Sequence, residues 1–363
     1  MIKFPSIEQF RTAIKNVQSR AQWSGRDENG DHVFDRGKLI PTLTLRGTVK
    51  LHGTNAGIVY DVDSDTIQSY QSRERELTLT ADNAGFMLYM QQEPVQKELQ
   101  RIFQKIMHIV GCPQTSPYTP DWIDNQAPEP DKIVLFGEWC GGNIQKGVAI
   151  SGLPKMFVYF GIKVIYKDER TVWVDLADID IEAREYNIYN VLTFGEWTID
   201  VDFNNPQLKQ NELSDLTIAV EEECPAGKFF GNSGVGEGIV WQPINDGWRG
   251  SDFWFKVKGE KHSVSKVKTL APVDTEAFQK QADFVAATVT EARLEQGLQV
   301  LQNELLLPFE MKSLGDFIRW VYNDIVKEEM DTIVANQFDV KKLGGPISNA
   351  ARPWFIQKLN AQG

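Results

Sequence analysis

Apolar and polar positions change period several times along the chain. Ile7, Phe10, Ile14 and Val17 recur at helical spacing behind Ser6-Ile7-Glu8-Gln9, a stretch that fits a capping box. From Pro41 the period shortens. LTLRGTVKL and AGIVYDV are β-branched runs separated by a glycine-containing turn, which predicts a pair of adjacent strands. Residues 86–110 read as helical, with Pro94 marking a kink or a fresh start. Strands return at KIVLFGEW, KMFVYFGIKVIY and TVWVDL. A helical stretch over 211–223 then leads through the glycine-rich GKFFGNSGVGEG to two more strands, GIVWQP and DFWFKVKG.

Past Pro272 the strand signals stop. Asp274 or Thr275 caps a predicted helix carrying Phe278, Phe284, Val285, Val289, Ala292 and Leu294 on one face. Ser313-Leu314-Gly315-Asp316 caps another, bearing Phe317, Trp320, Val321, Ile325 and Val326. A short last helix includes Trp354, Phe355 and Leu359, and the aromatic residues of this tail read as bundle core. The pattern predicts an α+β protein with two domains, a strand-rich one over 1–270 and a small all-helical one over 271–363. Five prolines without periodicity over 111–132 predict a surface loop or insertion.

The length of 363 residues agrees with two domains. A formal net charge of −12 excludes indiscriminate coating of nucleic acid or anionic membrane by bulk charge. Residues 249–268 run against that average, with Arg249, Lys256, Lys258, Lys261, Lys266 and Lys268 set against Asp252 and Glu260. Such a stripe predicts a confined phosphate-binding surface. No apolar run is long enough to span a bilayer, and MIKFPSIEQF lacks the apolar core and cleavage site of a signal peptide. Cys112, Cys140 and Cys224 are odd in number and widely separated, which disfavours a disulfide framework and fits a cytoplasmic location.

Four stretches carry candidate chemistry. Lys50-Leu51-His52-Gly53-Thr54-Asn55 lies between two predicted strands. A lysine attacks phosphorus only when unprotonated, which requires its pKa to be lowered by nearby positive charge or desolvation. Gly53 allows close backbone approach to a phosphate, and Thr54 and Asn55 offer donors to it. Glu138 stands at the end of a strong strand in Phe136-Gly137-Glu138-Trp139, where a carboxylate can accept from a ribose hydroxyl. Glu237, at the mouth of the glycine-rich run, suits a hydrated Mg²⁺. Strand alternation puts Lys256 and Lys258 on one face, where two ammonium groups suit a polyanion. Each stretch also has a purely structural reading: a hairpin turn, a solvated strand end, a glycine turn and an edge-strand lysine pair.

Their order and company are more specific. Lys-x-His-Gly-x-Asn, then Phe-Gly-Glu, an aromatic strand, Glu-Gly-Ile-Val and Lys-x-Lys resembles the covalent nucleotidyltransferase superfamily. Within it, the chain looks most like ATP-dependent RNA ligases of the RNA ligase 2 type, which seal nicks in duplex RNA. The motifs span roughly residues 35–268, and the helical tail matches that family's small C-terminal domain. DNA ligases and capping enzymes more usually carry Asp where His52 stands, and end in an oligonucleotide-binding barrel.

The resemblance implies an adenylyltransferase domain built on antiparallel sheets with flanking helices over 1–270. It also implies roles for single residues. Lys50 forms lysyl-AMP from ATP, with Mg²⁺ or Mn²⁺ as cofactor, while His52 and Asn55 assist near the reacting phosphates. Arg73, with Arg75 as rival, contacts the nucleotide or the nick phosphate. Glu138 contacts ribose, and Phe160, with Phe157 as rival, stacks on adenine. Glu237 associates with the metal, and Lys256 and Lys258 bind phosphate. Expected partners are ATP and RNA ends at a nicked duplex, with no membrane, for a protein acting as a monomer. Val49 and Gly161 depart from the family pattern, where Glu and Asp are frequent. The competing expectations are a DNA ligase, a GTP-using capping enzyme, or a non-catalytic module that binds nucleic-acid ends.

Overall fold

A computed structural model describes residues 1–110, 129–259 and 281–361. In chain order its first half contains α1 (Phe10–Gln22), β1 (Trp23–Arg26), β2 (His32–Phe34), β3 (Thr42–Lys50), β4 (Thr54–Asp61), β5 (Thr66–Ser72), α2 (Phe86–Met90), α3 (Glu93–Val110), β6 (Pro130–Cys140), β7 (Met156–Tyr166) and β8 (Thr171–Val174). There follow β9 (Ile188–Asn190), β10 (Glu196–Asp202), α4 (Gln210–Glu222), α5 (Pro225–Phe229), β11 (Gly238–Pro243) and β12 (Phe255–Lys258). The tail holds α6 (Gln281–Thr288), α7 (Glu291–Gln299), α8 (Leu314–Glu328), α9 (Met330–Ala335) and α10 (Val340–Asn360). The chain is thus α+β, with antiparallel sheets and a helical C-terminal region, as the pattern predicts.

Two compact units divide it. The first comprises Met1–Ser6, Thr44–Ile199 and Ala219–Ser251; the second comprises Ile7–Leu43, Asp200–Ile218 and Asp252–Gly363. The expected boundary at 270/271 lies outside the described residues, as do Cys112, Glu260, Lys261, Lys266, Lys268, the caps at Asp274 and Thr275, Phe278 and most of the proline-rich segment.

In the first unit, strands run in the order β5-β4-β6-β7-β8, with β9 added parallel to β7. Apolar residues on both faces of β4, β6 and β7 let this sheet bury both sides. On one face α3 contributes Val95, Leu99, Ile102, Phe103 and Ile106, whose 3–4-residue spacing makes a single stripe. Its Phe103 ring stacks on Tyr60 of β4 at 4.6 Å. The other face gathers Val59, Val134 and Phe136 against Phe4, Phe160 and Trp173. The second unit centres on Phe284, Leu298, Leu301, Phe317, Val321, Ile325, Leu343, Ile347 and Phe355, with Trp320 and Trp354 packed at the margin.

Several local expectations are corrected. β3 and β4 are not neighbours: β3 pairs with β11, whereas β4 pairs with β5 and β6. The intervening Leu51–Gly53 link carries the chain from one sheet to another rather than closing a hairpin. Gly53 has no left-handed φ, and its α-carbon lies against β6 instead. The capping box before α1 does not form. Helix begins at Phe10 without a side-chain cap, because Glu8 is drawn into a bridge with Phe255. Ser313 likewise makes no side-chain cap to α8. The long helix expected from 274 is interrupted after Thr288, where Thr290 accepts from the Arg293 N–H and starts α7. The last helix is not short: α10 runs 21 residues with Pro346 and Pro353 inside it.

Candidate active site

Strand pairing brings the first catalytic candidates together. Lys50 is the last residue of β3, and its cross-strand partner is Gly238, the first residue of β11. Glu237 immediately precedes β11, so the register alone delivers its carboxylate to the lysine. Lys50 Nζ lies 2.8 Å from Glu237 Oε2, and His52 Nδ1 lies 3.3 Å from the same oxygen. Glu237 is buried, its side chain 3% exposed.

A second register places the next pair. Across β4 and β6, Asn55 stands opposite Glu138, which puts both on one face of the sheet. The Gly53 backbone N–H donates to Glu138 Oε1 at 2.9 Å, and Gln145 Nε2 donates to the Gly53 carbonyl at 3.3 Å. The link between Lys50 and Asn55 is therefore held from both sides. A Cβ at position 53 would sit 2.5 Å from the Trp139 carbonyl oxygen and 2.7 Å from Cys140 Cβ, so only glycine lets the chain pass so close to β6. Cys140 is a buried free thiol that forms part of this wall.

The local charges are mutually dependent. Loss of hydration pushes the Glu138 carboxyl up to about 7, and repulsion from Glu237 adds to it. Lys50, the Gly53 N–H and Arg73 act in the opposite direction. Two carboxyl groups and two cations of the first unit thus act on one another.

Arg73 and Arg75 differ sharply. Arg73 follows β5, is half exposed, and acts electrostatically on Glu138. Arg75 instead donates to the carbonyls of Ala81 and Asp82, which ties its guanidinium into the turn after β5. The two phenylalanines separate as well. Phe160 lies on the face of Phe136 and Glu138 and meets Phe4 edge-on at 5.0 Å. Phe157 is fully buried on the opposite face, where it packs against Phe86 at 5.2 Å. Thr54 points away from Asn55; it is buried and accepts from Asn83 Nδ2 at 2.9 Å. It is not placed with Asn55 as a phosphate donor.

Lys256 and Lys258 belong to the second unit. They alternate with buried Phe255 and Val257, as strand periodicity requires. Lys256 Nζ pairs with Glu328 Oε1 at 2.9 Å. Neither Glu328, which pairs with Lys256, nor Gln145, which holds the Gly53 link, was legible in the sequence as a partner of these candidates. Gln145 sits in a turn-rich run without a motif, and Glu328 is one of many acidic residues in an amphipathic helix.

A family model for RNA ligase matches residues 44–258, and the chain belongs to the RNA ligase family. No curated protein sequence matches it significantly. Among solved structures it is similar to a Naegleria gruberi RNA ligase mutant with ATP and Mn (14% identity, TM-score 0.37), covering 72% of this chain and 57% of that one. It is also similar to Naegleria gruberi RNA ligase with PPi (17% identity, TM-score 0.35), covering 72% of this chain and 56% of that one. A further mutant of that ligase, with AMP and Mn, matches at 15% identity and a TM-score of 0.35 over 72% of this chain and 56% of its own. The chain therefore spans just over half the length of these structures. Among the described residues no helix is long and apolar enough to cross a membrane.

Proposed function

We propose that the protein is an ATP-dependent RNA ligase that joins 3′-hydroxyl and 5′-phosphate ends at nicks in duplex RNA, acting as a monomer through lysyl-AMP and RNA-adenylate. The observation that carries this reading is Lys50 Nζ at 2.8 Å from a buried Glu237 carboxylate, beside a glycine link pinned to Glu138. Lys50 Nζ attacks the α-phosphorus of ATP, forming a P–N bond as pyrophosphate leaves. An oxygen of the RNA 5′-phosphate then attacks the same phosphorus and releases the lysine. The 3′-hydroxyl finally attacks the 5′-phosphate, losing its proton as AMP departs.

The resting Lys50–Glu237 pair favours an ammonium, so the nucleophile must shed a proton before attack. Glu237 Oε2 is within reach to take it, and His52 Nδ1 shares that oxygen. Among the described residues no group of three or more His, Cys, Asp or Glu side chains is arranged to hold a metal. Glu237 would be the residue to hold Mg²⁺ or Mn²⁺, hard ions that prefer oxygen ligands. Such an ion would supply positive charge beside Lys50 and favour its unprotonated form. Glu138 is placed to accept from a ribose hydroxyl, Asn55 shares its face, and Arg73 supplies a cation for nucleotide or nick phosphate. Phe160 offers a ring to adenine, and Lys256 and Lys258 bind phosphate. The separation of Phe160 from the buried Phe157, and of Arg73 from the engaged Arg75, supports those choices.

The test is a covalent one. Protein incubated with Mg²⁺ and radiolabelled ATP should retain label through denaturation, GTP should not substitute, and Lys50→Ala should retain none. Label surviving in Lys50→Ala would overturn the mechanism. Sealing of an all-DNA nick as fast as an RNA nick would overturn the substrate assignment.

A further inference from the structure

Helix α8 ends on a carboxylate that engages two cations at once. Glu328 Oε1 accepts from Lys256 Nζ at 2.9 Å, and Oε2 accepts from Arg293 Nη2 at 3.0 Å. The Arg293 side chain is fully buried, and its other nitrogens are committed as well. Nε donates to Asp324 Oδ2 at 2.8 Å and Nη1 to the Thr288 carbonyl at 2.7 Å. The guanidinium is fixed on three sides, so the carboxylate it grips has little freedom to swing. Burial alone would favour protonated Glu328, but Lys256, Lys258 and Arg293 more than offset this and keep it ionised. The main chain is fixed too, since the Lys256 N–H donates to the Glu8 carbonyl at 2.9 Å.

This pair differs from an ordinary surface ion pair, whose flexible partners gain little from one another. Here the side chains are only 23% and 18% exposed, and the acidic partner is anchored to a buried arginine. An ammonium has three N–H bonds. One is directed at Glu328, and fixing it restricts where the other two can point.

We propose that Glu328 is a positioning residue for nucleotidyl transfer, holding the Lys256 ammonium so that its two remaining N–H bonds are presented to phosphate oxygens. This rests on the reading of Lys256 as a phosphate contact.

The experiment is a double-mutant cycle on the full chain, following lysyl-AMP formation across ATP concentrations and recording Tm for every variant. Glu328→Ala should raise the KM for ATP roughly tenfold, the scale of one charge-assisted hydrogen bond, with a smaller change in kcat. Glu328→Gln keeps an oxygen acceptor for the ammonium and should recover most of that loss. In a Lys256→Ala background, either Glu328 change should add nothing. Should Glu328→Ala fold poorly, the cycle is read from Glu328→Met, which fills the side-chain volume but offers the ammonium no oxygen acceptor. A Glu328 change that impairs Lys256→Ala as much as the parent overturns the proposal, as does an unchanged KM in Glu328→Ala when Lys256→Ala is impaired. If Lys256→Ala itself forms adduct normally, the reading of Lys256 has failed and the proposal falls with it.

Discussion

The Gly53 backbone N–H donates to Glu138 Oε1 at 2.9 Å, so the link that follows the candidate nucleophile is anchored by the carboxylate assigned to ribose. One side chain thus fixes a loop and is also the proposed ribose contact, and its protonation state should be measurable in both roles. Its carboxyl is raised from 4.5 to about 7, so the folded protein binds that proton more tightly than the unfolded chain does. The stability it contributes is full below pH 4.5 and is lost as pH climbs through about 7. Glu138→Gln keeps the oxygen that accepts from Gly53 but cannot ionise. Urea unfolding of the parent, relative to Glu138→Gln, should therefore weaken over this window by on the order of 3 kcal/mol. Adduct formation should rise through pH 7 in the parent, as the carboxylate becomes available to the ribose, without that inflection in the variant. Superimposable pH profiles would remove Glu138 from the nucleotide step.

Arg73 and Arg75 are two residues apart but should fail in different assays. Arg75 satisfies the carbonyls of Ala81 and Asp82, so Arg75→Ala should cost about 1–3 kcal/mol of stability. Arg73 makes only a 3.8 Å approach to Glu74, and Arg73→Ala should leave unfolding nearly unchanged. It should instead slow adduct formation or sealing by roughly 10²-fold, as expected for losing a cation from a phosphate-transfer site. Normal turnover in Arg73→Ala would transfer the role elsewhere.

Much of this site was legible in the sequence because its chemistry is local. Lys50, His52 and Asn55 fall within six residues, and strand alternation alone puts Lys256 and Lys258 on one side. Alternation could also have chosen between Phe157 and Phe160, had the face occupied by Glu138 been known. That face depends on the β4–β6 register, which pairs Asn55 with Glu138 across a long sequence gap. The wrong expectation that β3 and β4 pair has the same origin. Two short strands around a glycine look like a hairpin, and only the competing partners β11 and β6 separate them. The Ser6 capping box failed because its local side-chain bonds gave way to a strand bridge between Glu8 and Phe255. Arg293 was invisible for a related reason. A charged residue in an amphipathic helix reads as surface until its partners on α8 are known.

Gly53→Ala tests how closely the nucleophile link must approach β6. The added methyl would lie 2.5 Å from the Trp139 carbonyl oxygen, a backbone atom that cannot rotate away. Relief requires the link to move, at a cost of about 1–3 kcal/mol in stability. Displacing Lys50 by about 1 Å from its attacking position should slow lysyl-AMP formation on the order of 10²-fold. ATP binding, measured without turnover, should fall less. Near-normal adduct formation would mean that the link tolerates movement and that its contact with Glu138 is dispensable.

Arg293→Met addresses the helical unit's polar centre. Arg293 is fully buried among Thr288, Asp324 and Glu328, each of which accepts from it. Removing the cation strands two largely buried carboxylates, and breaking such a network costs about 3–5 kcal/mol even though methionine fills similar space. Asp324 already sits above its ordinary carboxylate value because of burial and repulsion from Glu328, so it should take up a proton once Arg293 is gone. Glu328 retains Lys256 and should stay ionised. The variant should therefore lose less stability at pH 5 than at pH 8, because protonation of Asp324 relieves part of the uncompensated charge. Unfolding curves at the two pH values check this directly. An equal loss at both would mean that packing around the guanidinium, not its charge, holds the three helices together.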